Sequence, residues 1–328
     1  MNWMMMAFGA LLAGGALLWR ARRAPAIQDA AQLGEASVWG YFLVLVGMWG
    51  MLSQFANPSD LFFLMMMAAA LMAGLARLLG YRRSGNQRPL PGWAAFGFAN
   101  ALVLASIGTA KAFVIEPMQI PSSSMRPGLL VGDFILVNKA AYGVRLPFLH
   151  KTLIPTGKPA RGDVAVFRLP YDPSTNLIKR VVGLPGDRVV YRDKQLSING
   201  VVQASTDQGH YDYRRESGAD ASMQLREERL DGKPHLILND PAMPSLNPML
   251  VRDFAGRDAC RHEMDGFECT VPAGQYLVLG DNRDDSNDGR YWGFLPEENL
   301  AGRAAMVWMN WAGLGHWPDW RRIGKQIA

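Results

Sequence analysis

The chain has 328 residues, enough for two folded units, and a formal net charge of +5 at pH 7. Its hydrophobic fraction, 49%, is that of an average globular protein, but Met, Ala, Leu and Gly crowd roughly the first 115 residues and charges crowd the rest. No basic patch with interleaved aromatic residues is present, so the charge argues against a nucleic-acid partner and suits a surface beside anionic lipid.

The first part of the chain contains four apolar windows. A hydrocarbon core is crossed by about 17 to 25 apolar residues, and the windows predict transmembrane helices over 1–19, 36–56, 61–80 and 92–110. The third helix requires Arg77 to extend to the headgroups. One such window alone could be a buried helix of a soluble core, but four in succession favour a membrane anchor.

Basic residues beside the windows predict the orientation of this anchor, residues 1–114, because Lys and Arg are retained on the cytoplasmic side. Arginines occur in the loops 20–35 and 77–91, whereas the loop 53–60 has no basic residue. We therefore expect a multi-pass protein of the cytoplasmic membrane, with everything after about Lys111 on the external side. A cleaved secretory signal is a poor account of the first window, because a signal peptide carries its positive charges before the apolar run.

After Lys111 the pattern changes to short runs of alternating apolar residues between Gly, Pro, Asp and Asn. Such runs are typical of antiparallel strands. The sequence predicts a mostly-β domain of antiparallel sheets that form a partly closed barrel, built from residues 115–186 and 274–328. Residues 187–273 are more polar and irregular, and we expect them to form a second β subdomain inserted into the first.

The two cysteines of the chain, Cys260 and Cys269, both lie in this exported part. An oxidising compartment allows them to form a disulfide. Free thiols are the alternative, and a zinc site is disfavoured because His262 would be only a third ligand. We expect neither a metal nor a cofactor.

Three segments of the exported part carry residues suited to catalysis. The first, QIPSSSMRPGLLVGD, spans residues 119–133 and contains three adjacent serines after Pro121. If this stretch is extended, Ser122 and Ser124 face one way, so that two hydroxyls are available as nucleophile and oxyanion donor. A polar linker beside the membrane is the alternative interpretation.

The second segment, NLIKRVVGLPGDRV, contains Lys179. In a strand, Lys179 shares a face with Leu177 and Val181, so its amine would be desolvated and, when neutral, able to accept a proton from serine. A solvated lysine on an edge strand is the alternative. The five histidines lie in polar or turn-like surroundings and no G-x-S-x-G elbow occurs, which favours a Ser/Lys pair over a histidine-based triad.

The third segment, GDNRDDSNDGRYWGFLP, begins at Gly280. It is dense in residues that cap turns and form side-chain networks, as a loop that holds other residues rigidly requires. It lacks the Glu that an EF-hand calcium loop has at its twelfth position. An acidic surface turn is the alternative interpretation.

In this order, and after a membrane anchor, the three segments resemble the motif set of bacterial type I signal peptidases. The family pattern P-S-x-S-M-x-P matches residues 121–127, K-R-x-x-G-x-P-G-D matches 179–187, and G-D-N-R-x-x-S-x-D matches 280–288. Two positions depart from what is common in the family, since Gly128 stands in place of Thr and Gly289 in place of Ser.

The resemblance implies roles for individual residues. Ser124 is the expected nucleophile and Lys179 the general base. Ser122 is expected in the oxyanion hole, and Ser286 is expected to orient the lysine. Further residues match family positions that contact substrate or support the site: Ile120, Pro121, Met125, Leu129 and Ile178 for substrate, and Asp281, Arg283, Asp288 and Arg290 for support.

The implied function is the removal of N-terminal signal peptides from exported preproteins after small residues, at Ala-x-Ala-like sites. The expected partners are those preproteins, the lipid bilayer and a secretion translocon. Two rival functions are a Ser/Lys protease dedicated to one membrane partner and a non-catalytic assembly factor. Four tryptophans near the C-terminus suit either a membrane interface or a protein core: Trp308, Trp311, Trp317 and Trp320.

Overall fold

The fold is taken from a computed structural model, which describes residues 3–23, 30–52, 70–79, 106, 108–111, 113–145, 152–215, 218–311 and 317–327. The chain divides into two compact units. The first comprises residues 1–114 with 147–149, and the second comprises 115–146 with 150–328.

The first unit is helical in its described residues, with α1 (Trp3–Arg23), α2 (Ala30–Leu52) and a further helical segment at 70–78. Glycines bring α1 and α2 together. A Cβ on Gly14 would lie 2.8 Å from the carbonyl oxygen of Gly40, and one on Gly47 would lie 2.7 Å from that of Ala7. The two helices therefore approach to backbone contact where no side chain intervenes.

The helices α1 and α2 cover most of the predicted spans 1–19 and 36–56. The predicted spans 61–80 and 92–110 lie for the most part outside the described residues. Among the helices that the structure describes, none combines the length and the mean hydropathy of a membrane-crossing helix.

The second unit is built mainly of strands, which confirms the prediction of a mostly-β domain. The strands are β1 (Ile115–Gln119), β2 (Asp133–Asn138), β3 (Val144–Arg145), β4 (Thr152–Ile154), β5 (Val164–Leu169), β6 (Asp172–Gly183), β7 (Arg188–Arg192), β8 (Gln195–Ile198), β9 (Val201–Val202), β10 (Ser205–Arg214), β11 (Asp220–Leu230), β12 (Lys233–Asn239), β13 (Cys260–Glu263), β14 (Gly266–Thr270), β15 (Gln275–Leu279), β16 (Leu295–Pro296) and β17 (Leu300–Asn310).

The largest sheet has seven strands in the order β1-β2-β17-β5-β6-β15-β16, and all its neighbouring strands are antiparallel. The antiparallel pairing follows the prediction. The expected closure into a barrel does not, because β1 and β16 stand at opposite ends of the sheet and do not pair with each other. The described strands therefore form an open sheet and no closed barrel.

The chain between β6 and β15 forms two further sheets, one of five strands in the order β13-β14-β7-β8-β9 and one of three in the order β10-β11-β12. β6 and β15 pair with each other across this excursion. In the five-stranded sheet, Cys260 and Cys269 are directly opposite each other, and their sulfur atoms are bonded.

The two faces of the seven-stranded sheet pack against separate apolar clusters, because successive side chains of a strand point to opposite sides. In β5, Val164 and Val166 belong to one cluster, and Ala165 and Phe167 belong to the other. Both sets are buried, so β5 lies at the centre of the fold. The neighbouring strand β6 carries the predicted base.

Candidate active site

Strand β6 positions Lys179 on a buried face of the seven-stranded sheet. Lys179 stands opposite Ala165 in the register of β5 and β6. Ala165, Leu177 and Val181 belong to one apolar cluster, so Lys179 has the apolar surroundings that a strand with period two predicts. Its side chain is buried, with a relative exposure of 3%.

The serine segment is not extended throughout. Ser122 has extended backbone angles, but residues Ser123–Met125 form a single turn of 3-10 helix. Ser123 and Ser124 are both buried in this turn. The turn sends their hydroxyls to different partners, the Ser124 hydroxyl to Lys179 and the Ser123 hydroxyl to Asp285.

The predicted nucleophile and base are in direct contact. Lys179 Nζ lies 2.6 Å from Ser124 Oγ and donates a second hydrogen bond to the Ile178 carbonyl oxygen at 3.0 Å. Ser122 Oγ lies 3.4 Å from Ser124 Oγ, on the edge of hydrogen-bonding distance. The structure therefore brings together the three groups that sequence reasoning assigned to nucleophile, base and oxyanion donor.

The environment of Lys179 changes its basicity. Burial lowers the pKa of Lys179 from 10.5 to about 8, because a desolvated ammonium is disfavoured. The carboxylates of Asp288 and Asp281 oppose this change by raising the pKa, and the Arg290 guanidinium lowers it. A neutral amine, which can accept a proton, is thereby accessible close to neutral pH.

The loop after β15 holds the serine turn in position. The Asn282 backbone N–H donates to the Ser124 carbonyl oxygen at 3.0 Å, and its side-chain Nδ2 donates to the Ser123 carbonyl oxygen at 3.2 Å. Sequence reasoning did not single out Asn282. The available signal was its position in the third motif, where polar residues that hold other groups are dense.

Buried ion pairs hold that loop in turn. Arg180 donates to both carboxylate oxygens of Asp281, at 2.8 and 2.7 Å. Arg290 donates to both oxygens of Asp288, at 2.8 and 2.9 Å, and the Gly280 N–H donates to Asp288 at 2.9 Å. All of these ionic side chains are buried. The first pair joins the second segment to the third, and the other closes the third segment upon itself. Together they give the loop after β15, residues 280–288, which we call the catalytic loop, a rigid frame.

The fourth residue expected to support the site, Arg283, is also buried and has a partner in another sheet. Its guanidinium forms a bidentate pair with Glu228 of β11, in which Arg283 Nη1 donates to Glu228 Oε1 at 3.1 Å. His235 Nε2 of β12 lies 3.2 Å from the same carboxylate. The pair joins the catalytic loop to the three-stranded sheet.

Ser286 does not make the contact predicted for it. Its Oγ is buried and interacts with the Asp288 carboxylate, and it makes no hydrogen bond to Lys179 Nζ in the described part of the chain. Ser286 instead packs against Gly280. A Cβ at Gly280 would overlap the Ser286 side chain and would lie 2.7 Å from the Ser124 carbonyl oxygen, so glycine is required where the loop passes the serine turn.

Four of the five residues expected to contact substrate lie together. They belong to one buried apolar cluster, to which β6 contributes one residue and the segment around the serine turn contributes three: Ile178, and Ile120, Met125 and Leu129. Pro121 is exposed and does not join them. The side chains of the cluster pack against one another and against the sheet, so their contact with substrate stays a prediction.

The two glycines that depart from the family pattern differ in their surroundings. A Cβ on Gly289 would lie 2.9 Å from the Val278 carbonyl oxygen, so the short helix Gly289–Trp292 packs closely against β15. A Cβ on Gly128 would meet only the Met125 carbonyl oxygen at 3.6 Å and an Asp281 carboxylate oxygen at 3.8 Å. Gly128 therefore has room for a side chain, whereas Gly289 does not.

Two of the four tryptophans near the C-terminus are not core residues. Trp317 is 91% exposed and Trp320 is 67% exposed, which excludes a core role for both. Trp308 is 37% exposed and its ring packs edge-on against Phe134 at 5.9 Å. Trp311 is half-buried.

Comparison with known proteins assigns the family. The family model "signal peptidase, peptidase S26" matches residues 93–311. A signal peptidase I of Pseudomonas aeruginosa is 41% identical over 252 residues, which cover 73% of this chain and 80% of the relative. One of Pseudomonas fluorescens is 42% identical over 252 residues, with the same two coverages.

A crystal structure of a signal peptidase I from Enterococcus faecalis V583 aligns with 44% of this chain and 96% of that one, at 31% sequence identity. Its TM-score of 0.25 is too low to bear on the fold. The family model, by contrast, spans the serine turn, β6 and the loop after β15. The chain therefore belongs to the signal peptidase family, peptidase S26, a family of serine endopeptidases.

Proposed function

We propose that this chain removes signal peptides from exported preproteins, with Ser124 as the nucleophile and Lys179 as the general base. The observation that carries the proposal is the 2.6 Å contact between Lys179 Nζ and Ser124 Oγ, made by a buried lysine whose pKa is lowered to about 8. A serine hydroxyl is a weak nucleophile until a base accepts its proton, and a neutral buried amine is a suitable base.

The reaction proceeds in two steps. Neutral Lys179 accepts the Ser124 proton as Oγ attacks the scissile carbonyl, and the peptide after the cut leaves with a proton from the lysine. The resulting acyl-enzyme is hydrolysed when Lys179 activates a water molecule in the same way. Ser122 Oγ and the Ser124 backbone N–H stabilise the oxyanion of each tetrahedral intermediate. Ser286, in the loop after β15, is assigned the role of orienting the lysine amine.

Selectivity for small residues before the cut is assigned to the apolar cluster around Ile178. Its members Ile120, Met125 and Leu129 adjoin the serine turn in sequence and are buried together with Ile178. Shallow apolar pockets admit an alanine side chain, whereas larger side chains would clash. This gives the expected Ala-x-Ala-like specificity.

A membrane anchor over residues 1–114 completes the proposal, with residues 115–186 and 274–328 as the catalytic domain and 187–273 as an inserted subdomain. The catalytic domain lies on the external side of the cytoplasmic membrane, where preproteins emerge from a secretion translocon. Support comes from the arginines of the loops 20–35 and 77–91 and from the exposed Trp317 and Trp320. Tethering to the same membrane raises the effective concentration of the substrate.

Labelling tests the topology. Single cysteines placed in the loops 20–35 and 77–91 should resist a membrane-impermeant thiol reagent in intact cells, and one at Asn57 should react. The reverse pattern would overturn the external location of the site. As a control, all three positions should react once the cells are permeabilised.

Cleavage tests the activity. The full chain in detergent is incubated with a preprotein that carries an Ala-x-Ala junction, and the cut is located by mass spectrometry. Cleavage after the second alanine is expected, and a Ser124→Ala variant from the same preparation should give none. A wild-type chain without activity would favour an assembly factor. Cleavage of one membrane partner but of no preprotein would favour a dedicated protease.

A further inference from the structure

The proposed mechanism uses Ser122 and Ser124 but not the middle serine, Ser123. Ser123 is nevertheless buried, with a relative exposure of 8%, and its hydroxyl is engaged. Ser123 Oγ donates to Asp285 Oδ2 at 3.0 Å, a contact between residues 162 positions apart. A buried, hydrogen-bonded hydroxyl immediately before the nucleophile requires an explanation.

The same carboxylate oxygen accepts a second hydrogen bond. Tyr213 OH, from strand β10 of the three-stranded sheet, donates to Asp285 Oδ2 at 3.0 Å. The Tyr213 ring is buried among Ala221, Met223 and Leu238, and the guanidinium of Arg126 lies 4.6 Å above its centre. The tyrosine is thus held by packing independently of its hydroxyl.

Asn282 closes these contacts into a ring. Its side-chain Nδ2 donates to Tyr213 OH at 3.0 Å and to the Ser123 carbonyl oxygen at 3.2 Å. The ring therefore runs from Ser123 Oγ to Asp285, to Tyr213, to Asn282 and back to Ser123. Tyr213 of the three-stranded sheet thus holds the Ser123 hydroxyl through Asp285 and the Ser123 carbonyl oxygen through Asn282.

We propose that Ser123, Asp285 and Tyr213 are positioning residues that fix the 3-10 turn and so hold Ser124 Oγ in line with Lys179 Nζ. This inference rests on the proposed function. Asp285 Oδ2 joins the turn to a buried tyrosine, so that the turn cannot rotate without breaking two hydrogen bonds. We call the hydrogen-bonded set of Ser123, Asp285 and Tyr213 the clamp. Because small displacements of a nucleophile cost much of its reactivity, the clamp acts on the chemical step and not on substrate binding.

Single variants measure the contribution of each hydroxyl. Ser123→Ala and Tyr213→Phe each remove one hydroxyl without changing packing volume much, and each should lower kcat roughly 3- to 10-fold with KM unchanged. The matched control is Tyr211→Phe. Tyr211 lies on the same strand and packs on the Tyr213 ring at 6.0 Å, but its hydroxyl bonds no described residue. The control should retain full kcat.

The double variant tests whether the two hydroxyls act through one carboxylate. Once Ser123→Ala has disconnected the turn from Asp285, Tyr213 reaches the turn only through Asn282 and the Ser123 carbonyl oxygen. Tyr213→Phe should therefore cost less in this background than in the wild type, so the two losses should not fully multiply. Asp285→Asn keeps one carbonyl oxygen that can accept both hydrogen bonds and should restore most of the kcat that Asp285→Ala loses. The apparent pKa for the rise of activity with pH should be the same in all folded variants, because the clamp does not contact Lys179.

The outcomes separate this inference from the proposed function. A wild-type chain that does not cleave the preprotein overturns both. If the wild type cleaves and Ser124→Ala does not, the function stands and the clamp is judged by its own variants. Wild-type kcat in Ser123→Ala, losses that multiply in the double variant, or an increase in KM in place of a decrease in kcat would each overturn the clamp.

Discussion

Lys179 Nζ lies 2.6 Å from Ser124 Oγ, although the two residues are 55 positions apart and belong to a strand and a 3-10 turn. A third segment enforces the contact, because the Asn282 N–H holds the Ser124 carbonyl oxygen at 3.0 Å. The pair is thus defined by three parts of the chain. Substitutions in either partner should have large and non-additive effects.

Substitution of the pair should abolish turnover. Ser124→Ala removes the nucleophile, and Lys179→Arg replaces the base with a group that stays charged. The double variant should be no worse than either single one, because the two residues act as a unit. Cleavage of an Ala-x-Ala preprotein at matched enzyme concentration measures this. Wild-type cleavage by Ser124→Ala, together with loss of activity in Ser122→Ala or Ser123→Ala, would show that the nucleophile is another serine.

Substitution of Ser122 should have an intermediate effect. Ser122→Ala deletes one oxyanion donor while the Ser124 backbone N–H remains, a change that typically costs about 100- to 1,000-fold, or roughly 2.7 to 4 kcal/mol. The loss should be in kcat, since the donor acts on charge that develops during the reaction. Steady-state kinetics resolve it. A loss confined to KM would mean that Ser122 binds substrate instead.

Activity should rise with pH along a limb with an apparent pKa of about 8, the value to which burial lowers the pKa of Lys179. Only the neutral amine is a base, so activity is lost as the pH falls through this value. Val181→Thr makes the buried surroundings of Lys179 more polar and should move the limb to higher pH. A limb that does not move would argue against Lys179 as the titrating base.

The fold was predictable where the pattern is local. Alternation of apolar residues predicts the antiparallel strands, and a period of two predicts that Lys179 shares a face with Leu177 and Val181, as it does. The openness of the large sheet was not predictable in this way. It depends on which strands become β1 and β16, the two ends of the sheet, and strand order is set by long-range pairing.

The site was predictable in its principal residues but not in its supports. The prediction of an extended serine segment is wrong for residues Ser123–Met125, which form a 3-10 turn. Asn282 and Asp285 bond Ser123 from about 160 positions away, and such distant partners cannot be inferred from local periodicity. Tyr213 and Glu228 were missed for the same reason, since both come from the polar region between β6 and β15. Neither side chain has its polar partner nearby in sequence, because Tyr213 bonds Asp285 and Glu228 bonds Arg283, both in the loop after β15.

Burial of Lys179 should lower the stability of the protein at neutral pH. The pKa of Lys179 is lower in the folded chain, about 8, than its ordinary 10.5, so folding disfavours the charged form. This cost is complete below about pH 8, shrinks as the pH rises to 10.5, and is about 3 kcal/mol at most. Lys179→Met should therefore unfold at higher denaturant concentration than wild type at pH 7.

The gain from Lys179→Met should be about 1 to 2 kcal/mol after loss of the hydrogen bonds to Ser124 and Ile178. It should vanish between about pH 9 and 10, where the shrinking cost of the buried charge equals the contribution of the lost hydrogen bonds, and should become a loss at higher pH. Lys158→Met is the control, because Lys158 is exposed and its substitution should leave the unfolding curve at pH 7 close to that of wild type. Equal unfolding curves for wild type and Lys179→Met at pH 7 would show that the lysine is not buried as described.

The pair between Glu228 and Arg283 should make the protein sensitive to acid. Burial raises the pKa of Glu228, but the charge of Arg283 and the neighbouring His235 side chain outweigh it, and the pKa is lowered from 4.5 to about 2. Because the folded-state pKa is the lower one, the stabilisation is complete above pH 4.5 and is lost as the pH falls toward 2. The loss is about 3 kcal/mol over that window.

Glu228→Gln separates this pair from the other carboxylates of the chain. At pH 7 the variant should be less stable by about 3 to 5 kcal/mol, because Arg283 is left buried without a counter-charge. Between pH 4.5 and 2 its stability should fall less steeply than that of wild type, because the titrating group is gone.

Glu227→Gln is the matched control on the same strand. Glu227 pairs with Arg229 at 3.0 Å on the surface, and the exposed pair is worth about 0 to 1 kcal/mol. Denaturant unfolding at pH 7, 4.5 and 3 measures both variants, and equal losses in the two would rule out a special role for the buried pair.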